Sequence, residues 1–190
     1  MKIDCRELVP ALWPDLETLF GPRGAVGGCW CMHWRQARGE AWDDVKGETN
    51  RGRFEALVCS GHAHGALAYV DEAPVGWASF DRRPDYPKLD RAPSFACADA
   101  DAVWSIPCFF IGNGFRNRGV ASALLAFAVE ALRARGATVV EAYPVKPAKD
   151  GKPSPATFAW TGTVSLFAKH GFTAVGKRDG GKQRMRLAPG

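Results

Sequence analysis

The sequence has no apolar run that approaches the ~20 residues of a membrane-spanning helix, and it has no internal repeat and no low-complexity tract. Its 190 residues are 46% hydrophobic and 24% charged, a composition that excludes disordered and collagen-like proteins. Acidic residues and prolines interrupt the apolar positions of the first thirty residues, unlike a secretory signal. We therefore expect one globular domain, residues 1–190, that stays in the cytoplasm and makes no contact with a membrane.

Acidic residues are scarce in the second half of the chain. Residues 1–100 carry 12 basic and 15 acidic side chains, whereas residues 101–190 carry 13 basic and 5 acidic ones. The halves therefore have formal charges of −3 and +8. An excess of positive charge indicates a polyanionic partner, either a nucleic acid or a phosphate-bearing cofactor. Scattered, solvated lysines and arginines explain the same count equally well.

The central part of the chain alternates strand and helix patterns. Residues 66–70 and 75–80 have strand-like patterns around an Asp71-Glu72-Ala73-Pro74 turn, which predicts a hairpin. The apolar run Val103 to Ile111 predicts a buried strand, locally irregular at Pro107 because proline cannot donate to a ladder. An Ala/Leu-rich helix from Gly119 to Arg135 and a strand from Thr138 to Val145 complete a parallel crossover unit. The chain therefore reads as an α/β (α+β) fold.

Weaker patterns predict the elements at either end of the chain. Leu8 to Phe20 has helical apolar spacing, and a second helix is expected from about Thr49 to Cys59, capped by Thr49 or Asn50. A short helix is expected at 163–169, with strands at 172–176 and 183–187. Residues 82–101, and the proline-rich stretch from Pro144 to Pro155, are predicted to be irregular.

The turn between the buried strand and the Ala/Leu-rich helix has the properties of a phosphate site. Its sequence is Gly112-Asn113-Gly114-Phe115-Arg116-Asn117-Arg118-Gly119-Val120-Ala121-Ser122. Glycine lets the backbone approach an anion closely, and the first helical turn presents unpaired N–H groups at the positive end of the helix dipole. Neither the P-loop pattern nor G-x-G-x-x-G fits this segment.

Arg116-x-x-Gly119-x-Ala121 resembles the [Q/R]-x-x-G-x-[G/A] signature of the GCN5-related N-acetyltransferase (GNAT) superfamily. The context agrees, since Leu166-Phe167-Ala168-Lys169-His170-Gly171-Phe172 is similar to the superfamily's L-Y-x-x-x-G-F ending. The resemblance implies a three-layer αβα fold with a mixed, centrally splayed sheet. It assigns residues 64–187 to a cofactor-binding core and residues 1–60 to a variable arm that binds the acceptor.

The resemblance also implies acetyl-CoA as cofactor and transfer of its acetyl group to a primary amine of a small molecule or a protein, by direct attack in a ternary complex. The pyrophosphate would meet the backbone N–H groups of the signature turn, and the pantetheine arm would pair with the splayed strand. The implied cofactor-binding residues are Phe109, Phe110, Ile111, Arg116, Asn117, Arg118, Gly119, Val120, Ala121 and Ser122.

Acetyl transfer needs an oxyanion donor and two proton transfers. In this fold the donor is expected to be a main-chain N–H at Phe109 or Phe110. A lysine-type amine, with a pKa of roughly 10.4, must lose a proton to a base or a water relay, for which Glu141 and Asp101 are the candidates. Phe167 occupies the position where many members carry a tyrosine that protonates the thiolate, and phenylalanine has no proton to give. Tyr143 is the nearby replacement that we predict, with Ser165 as a further candidate.

The Cys29 to Arg35 cluster is interpreted as one wall of the acceptor pocket, with Trp30, Cys31 and Trp34 as its binding residues. Simple packing of these tryptophans onto the sheet is the alternative. Structural zinc sites use C-x₂₋₄-C pairs rather than Cys-x-Cys, so no metal is expected. The six cysteines are expected to be reduced thiols.

Two other classes of function stay open at this stage. The loss of the tyrosine at Phe167 is compatible with a non-catalytic acyl-CoA sensor or interaction module. The charge of +8 on residues 101–190 suggests nucleic-acid binding as a further hypothesis. No recognisable stacking face or binding motif accompanies this charge, so no nucleic-acid partner is expected. The acceptor's identity and the oligomeric state are not encoded in any motif, and a homodimer is left open.

Overall fold

Seven strands form one mixed sheet in the computed structural model, which describes residues 1–146, 159–176 and 181–189. Their order across the sheet is β1-β2-β3-β4-β5-β7-β6, and β4 and β5 are its parallel pair. The strands are β1 (Asp4–Glu7), β2 (His64–Val70), β3 (Ala73–Arg82), β4 (Val103–Ile111), β5 (Val139–Ala142), β6 (Thr173–Val175) and β7 (Arg184–Leu187). The helices are α1 (Trp13–Phe20), α2 (Trp42–Val45), α3 (Glu48–Cys59), α4 (Val120–Ala134) and α5 (Val164–Lys169).

The predicted hairpin and crossover unit are confirmed. Strands β2 and β3 pair around a tight turn in which Asp71 and Glu72 both have positive φ, as a two-residue hairpin turn requires. Helix α4 then connects β4 to the parallel β5 and packs Leu124, Leu125 and Leu132 into the core on one face of the sheet. The mixed α/β fold with a parallel pair at its centre is therefore the one that the sequence predicts.

The N-terminal arm covers the opposite face of the sheet. Helices α1 and α3 bury a second, aromatic cluster that includes Trp13, Phe54 and Trp77. Two expectations are wrong here. Helix α1 begins at Trp13, after a 3-10 turn that starts at Pro10, rather than at Leu8. The cap of α3 is Gly47 with φ of 75°, rather than Thr49 or Asn50, because its N–H is directed to the Gly28 carbonyl at 2.9 Å.

The segment between β3 and β4 is irregular, as predicted, and consists of short 3-10 turns between Arg83 and Ala102. Most of the loop predicted from Pro144 to Pro155 lies outside the described residues. Within the described parts of the chain, no helix is both long enough and apolar enough to cross a bilayer.

Candidate active site

The sheet opens between β4 and β5. These strands pair only from Val103 with Val139 to Ile106 with Ala142, and β4 then continues to Ile111 against β3 alone. Pro107 stands at the point of departure, and the β3 register shifts between Ser79 and Asp81 on its other side. The predicted irregularity at Pro107 is thereby confirmed, because the proline lies where the ladder to β5 ends and the ladder to β3 is broken.

The backbone of the splayed strand directs alternate amides into this opening. The Gly112 N–H donates to the Val75 carbonyl of β3 at 2.9 Å, so by alternation the amide of Phe110 also faces β3. The amides of Phe109 and Ile111 therefore face the gap. The same alternation places the Pro107 carbonyl on the gap side, where it accepts a hydrogen bond from Trp34 Nε1 at 3.1 Å. Of the two expected oxyanion donors, only Phe109 points into the opening.

The signature turn presents a run of unsatisfied amides. Asn117 and Gly119 have φ of 58° and 84°, and Gly119 caps α4. Within the described residues, no acceptor is found for the backbone N–H groups from Arg116 to Ser122, whereas the Ala123 N–H bonds back to Gly119. A Cβ at Gly119 would have no heavy atom within 4 Å, so the space in front of this turn is open. The turn is thus built to receive an anion.

The side chains of the turn differ in what they offer. Arg116 and Arg118 are exposed, and Arg116 Nε lies 3.3 Å from the Ile111 carbonyl. Val120 is buried in the core, so it can contribute only its backbone. Ser122 Oγ hydrogen-bonds His170 Nε2 at 2.7 Å, and burial lowers the pKa of this histidine. The turn and the L-F-A-K-H-G-F segment, which carry the two sequence signatures, are therefore in direct contact.

A pocket of about 380 Å³ lies against the splayed strand. Its walls are almost entirely apolar, and they combine β3 and β4 with the N-terminal arm and Trp160. The lining residues are Phe20, Ala25, Val26, Gly27, Cys29, Cys31, His33, Trp42, Trp77, Lys88, Cys108, Phe109, Phe110 and Trp160. The acceptor arm and the splayed strand thus meet at one cavity.

Of the three predicted acceptor-binding residues, Cys31 lines this pocket, while Trp30 and Trp34 pack behind its wall. Trp30 stacks on Trp13, and Trp34 lies 5.6 Å from Trp160, centroid to centroid. Trp30 and Cys31 are consecutive non-glycine residues with positive φ, an uncommon conformation that turns the Cys31 side chain inward.

The pocket thiols have unlike environments. Cys31 Sγ accepts from Trp77 Nε1 at 3.1 Å, and the hydrogen bond from the Cys108 thiol lowers the pKa of Cys31. The same contact, with burial, raises the pKa of Cys108, and burial raises that of Cys29 to about 12. If one thiol of this group ionises, it is therefore Cys31 that carries the charge.

The predicted proton-transfer residues do not line the pocket. Glu141 is fully buried, its Oε2 lies 2.6 Å from Arg186 Nε, and Arg83 and Arg184 approach within 4 Å. Tyr143 is also fully buried and its hydroxyl hydrogen-bonds Ser105 Oγ at 2.9 Å. Asp101 is exposed, in a 3-10 turn before β4. Their catalytic roles stay predictions.

Phe167 occupies an apolar position. It is fully buried, with its ring centroid 6.0 Å from that of Phe109 and 5.1 Å from that of Phe172.

Lys88, Trp42 and Trp160 are pocket residues that the sequence patterns do not single out. Each lies in or beside an irregular segment, where neither periodicity nor a motif marks a side chain as facing a cavity.

Comparison with known proteins agrees with this geometry. The acetyltransferase (GNAT) family model matches residues 30–154, whereas no curated protein matches the chain. Similar solved structures include an N-acetyltransferase from Staphylococcus aureus Mu50 (12% identity, all of both chains, TM-score 0.58). YncA, a putative acetyltransferase of Salmonella typhimurium solved with acetyl-CoA, is 15% identical over 99% of this chain and 94% of its own, with a TM-score of 0.57.

A ribosomal-protein-alanine N-acetyltransferase from Brucella melitensis is also similar, with 15% identity over 97% of this chain and 99% of its own and a TM-score of 0.58. Identities this low establish a shared fold and no more. The family model, in contrast, covers more than half of the chain. This protein therefore belongs to the acetyltransferase (GNAT) family, and it is an N-acetyltransferase.

Proposed function

We propose that this enzyme acetylates the primary amine of a small molecule or a protein by direct attack within a ternary complex. In this reaction a C–N bond forms and the thioester C–S bond breaks, while the amine loses one proton and the thiolate gains one. The observation that carries the proposal is the continuity of three features: the unsatisfied amides of Arg116 to Ser122, the β4–β5 opening and the apolar pocket.

The residues present fit the cofactor. The amides from Arg116 to Ser122 would take the pyrophosphate, with Arg116 and Arg118 adding charge-assisted contacts. Main-chain groups of Phe109 and Ile111, which face the gap, would pair with the pantetheine arm, and the Phe110 side chain lines the adjoining pocket. Acetyl-CoA, when bound, supplies the reactive acetyl thioester.

The Phe109 N–H is the proposed oxyanion donor. It faces the opening because Phe109 and Ala78 form a non-hydrogen-bonded pair of the β3–β4 ladder, so it can donate to the carbonyl oxygen of the thioester as negative charge develops there. A backbone donor is fixed by the β3–β4 ladder and needs no rearrangement during the reaction. One such donor contributes about 10²–10³ in kcat in enzymes where it has been removed.

The acceptor enters through residues 1–60 in this proposal, since eight of the pocket residues, from Phe20 to Trp42, belong to that arm. Because Phe167 cannot protonate the thiolate, we assign both proton transfers to a water relay. The thiol of CoA resembles a cysteine, whose pKa of ~8.5 makes the thiolate a tolerable leaving group.

Calorimetry with acetyl-CoA, followed by a thiol-release assay with a panel of amines, tests the proposal. We expect saturable binding that weakens at least tenfold in the double variant R116A/R118A, and amine-dependent thiol release. An exposed arginine pair elsewhere, R23A/R38A, is the control. Absence of binding at millimolar acetyl-CoA would overturn the proposal. Binding without release from any amine would favour the acyl-CoA sensor.

A further inference from the structure

The pocket is polarised along its length. At one end lie Cys108, Phe109 and Phe110 of the splayed strand, beside the apolar rings of Phe20 and Trp77. The other end is basic and aromatic, and consists of His33, Trp42, Lys88 and Trp160, with Lys182 directly behind Trp160. These five residues, the basic end of the pocket, are close neighbours in space although the sequence scatters them.

The contacts within the basic end are specific. Lys88 Nζ lies 3.4 Å from His33 Nδ1 and 5.7 Å from the centroid of the Trp42 ring. Lys182 Nζ lies 4.8 Å from the centroid of the Trp160 ring. The His33 ring stands edge-on between Trp42 and Trp160, with centroid distances of 5.7 Å and 5.0 Å. Two ammonium groups thus flank one wall of indole and imidazole rings.

Neither ammonium has an anionic partner within the described residues. Lys88 Nζ donates to Gln36 Oε1 at 2.7 Å, and Lys182 Nζ donates to Thr161 Oγ1 at 2.9 Å, and both acceptors are neutral. An ammonium group has three donors, so each lysine retains capacity for a further acceptor. Partly buried charges in proteins are ordinarily paired, which makes this end of the pocket a place for an anion.

The pKa values of Lys88, Lys182 and His33 are consistent with a local excess of positive charge. Burial, with the neighbouring Arg91, lowers the pKa of Lys88, and burial lowers the pKa of Lys182 to about 8. Burial and the charges of Lys88, Lys182 and Arg91 together lower the pKa of His33 to about 4, so its ring is neutral near pH 7. A bound anion would relieve these unfavourable interactions.

An acceptor that is only a cation does not suit this cavity. It would meet the ammonium group of Lys88, with that of Lys182 close behind Trp160, and no carboxylate is found among the described residues that line the walls. We infer that the acceptor is an amine that also carries an aromatic ring and a carboxylate, such as an aromatic amino acid. Its carboxylate binds at Lys88, where the charge of Lys182 behind Trp160 adds to the attraction, its ring packs on the indoles, and its amine is directed toward the splayed strand.

The inference rests on the proposed acetyltransferase function, so its test separates the two. Three compounds with the same phenyl ring are compared. Phenylalanine carries both an amine and a carboxylate, phenethylamine carries the amine alone, and 3-phenylpropionate carries the carboxylate alone. Binding is followed by quenching of the pocket tryptophans in the presence of CoA, and turnover by thiol release. Tryptophan with tryptamine, and 4-aminobenzoate with aniline, repeat the turnover comparison with a larger ring and with a directly attached amine.

We expect the carboxylate-bearing member of each pair to bind about tenfold more tightly or better, the range of a charge-assisted hydrogen bond. K88M should remove most of that preference and K182M a smaller part, because Lys182 lies behind Trp160, while K88R should retain it. K169M, which removes an exposed lysine on α5, is the matched control and should leave it unchanged. Because K88R keeps the charge, it distinguishes loss of the anion site from a misfolded pocket.

Equal or weaker binding of the carboxylate members would overturn the inference, as would a preference that survives in K88M and K182M together. Tight binding of 3-phenylpropionate without thiol release from any amine would support the anion site and count against the proposed acetyl transfer. Efficient turnover of phenethylamine, with no advantage for phenylalanine, would support the proposed acetyl transfer and count against the anion site.

Discussion

At the scale of single residues, Glu141 is the clearest case of a carboxylate whose surroundings decide its role. It pairs with Arg186 and lies within 4 Å of Arg83 and Arg184, with none of its surface exposed. Removing one partner of a buried ion pair costs about 3–5 kcal/mol, because the remaining charges stay buried without compensation. We therefore expect E141Q to lower the melting temperature by roughly 6–20 °C.

Thermal denaturation checks this expectation, with E130Q as control, since Glu130 pairs with Arg133 on the exposed face of α4 and should contribute little. The alternative is the catalytic role predicted from the sequence. A melting temperature that is unchanged in E141Q, together with a large loss of kcat, would restore Glu141 as a general base and contradict the structural role.

His64 gives the fold a pH dependence of defined sign. Its Nδ1 lies 2.6 Å from Asp81 Oδ1, and this hydrogen bond raises the pKa of His64 above the usual value near 6.5. The pair therefore stabilises the fold fully below pH 6.5 and loses its contribution as the pH rises through the raised pKa. H64Q should be more destabilising at pH 5.5 than at pH 9.

Melting temperatures of the native protein and H64Q across this range measure the difference directly. H62Q replaces an exposed histidine two residues away and serves as control. A destabilisation by H64Q that is the same at both ends of the range would show that the imidazole packs at this position without contributing as a cation.

At this scale, the sequence could predict only features whose residues lie close together along the chain. The signature turn is a contiguous segment, so Arg116, Gly119 and Ser122 could be proposed as cofactor-binding residues from their order alone. Glu141 is surrounded by arginines that are separated from it by more than forty residues along the chain, and no pattern within β5 reports them. No pattern marks Lys88 and Lys182 for the same reason, since only the folded chain brings Lys88 to the pocket and Lys182 beside Trp160.

At the scale of elements, two glycines at the ends of α4 provide a matched pair. Gly119 and Gly136 have φ of 84° and 75°, and a Cβ on either would meet no heavy atom within 4 Å. Alanine at either position should thus cost the same backbone strain, about 1–2 kcal/mol. Only Gly119 belongs to the turn of free amides, so only G119A should also weaken the binding of acetyl-CoA.

Calorimetry on both variants, at a temperature where each is folded, tests this prediction. We expect the Kd of acetyl-CoA to rise at least tenfold in G119A and by less than twofold in G136A, because the added methyl group occupies the space open to the pyrophosphate. Equal affinities in the two variants would move the anion site away from the α4 N-terminus.

The elements with strong periodicity were predicted closely, and α3, α5, β6 and β7, which have weaker patterns, lie within one residue of their predicted bounds. Strand β4 has the predicted bounds, and α4 differs from its prediction by one residue at each end. Strand β1 was missed because its Asp4, Arg6 and Glu7 hide the strand pattern of an edge that pairs only with β2. The splay itself could be anticipated from Pro107, but the direction of each amide required the register with β3.

At the scale of the whole molecule, some of the basic residues after residue 100 are paired within the fold. Arg135 pairs with Glu7, and Arg186 pairs with Asp99 and Glu141. Arg116 and Arg118 remain exposed at the signature turn. We therefore propose that the polyanion inferred from the charge count binds at the start of α4.

Binding at that place should stabilise the whole sheet, because the amide turn, α4 and the β4–β5 opening are joined through one core. A ligand at 100 times its Kd stabilises the native state by about 2.7 kcal/mol, which for a domain of this size raises the melting temperature by roughly 5–10 °C. We expect CoA to produce such a shift and pantetheine, which lacks the pyrophosphate, to produce little. If pantetheine at the same concentration shifted the transition as far as CoA, the energy of binding would lie in the strand opening and not in the amides of Arg116 to Ser122.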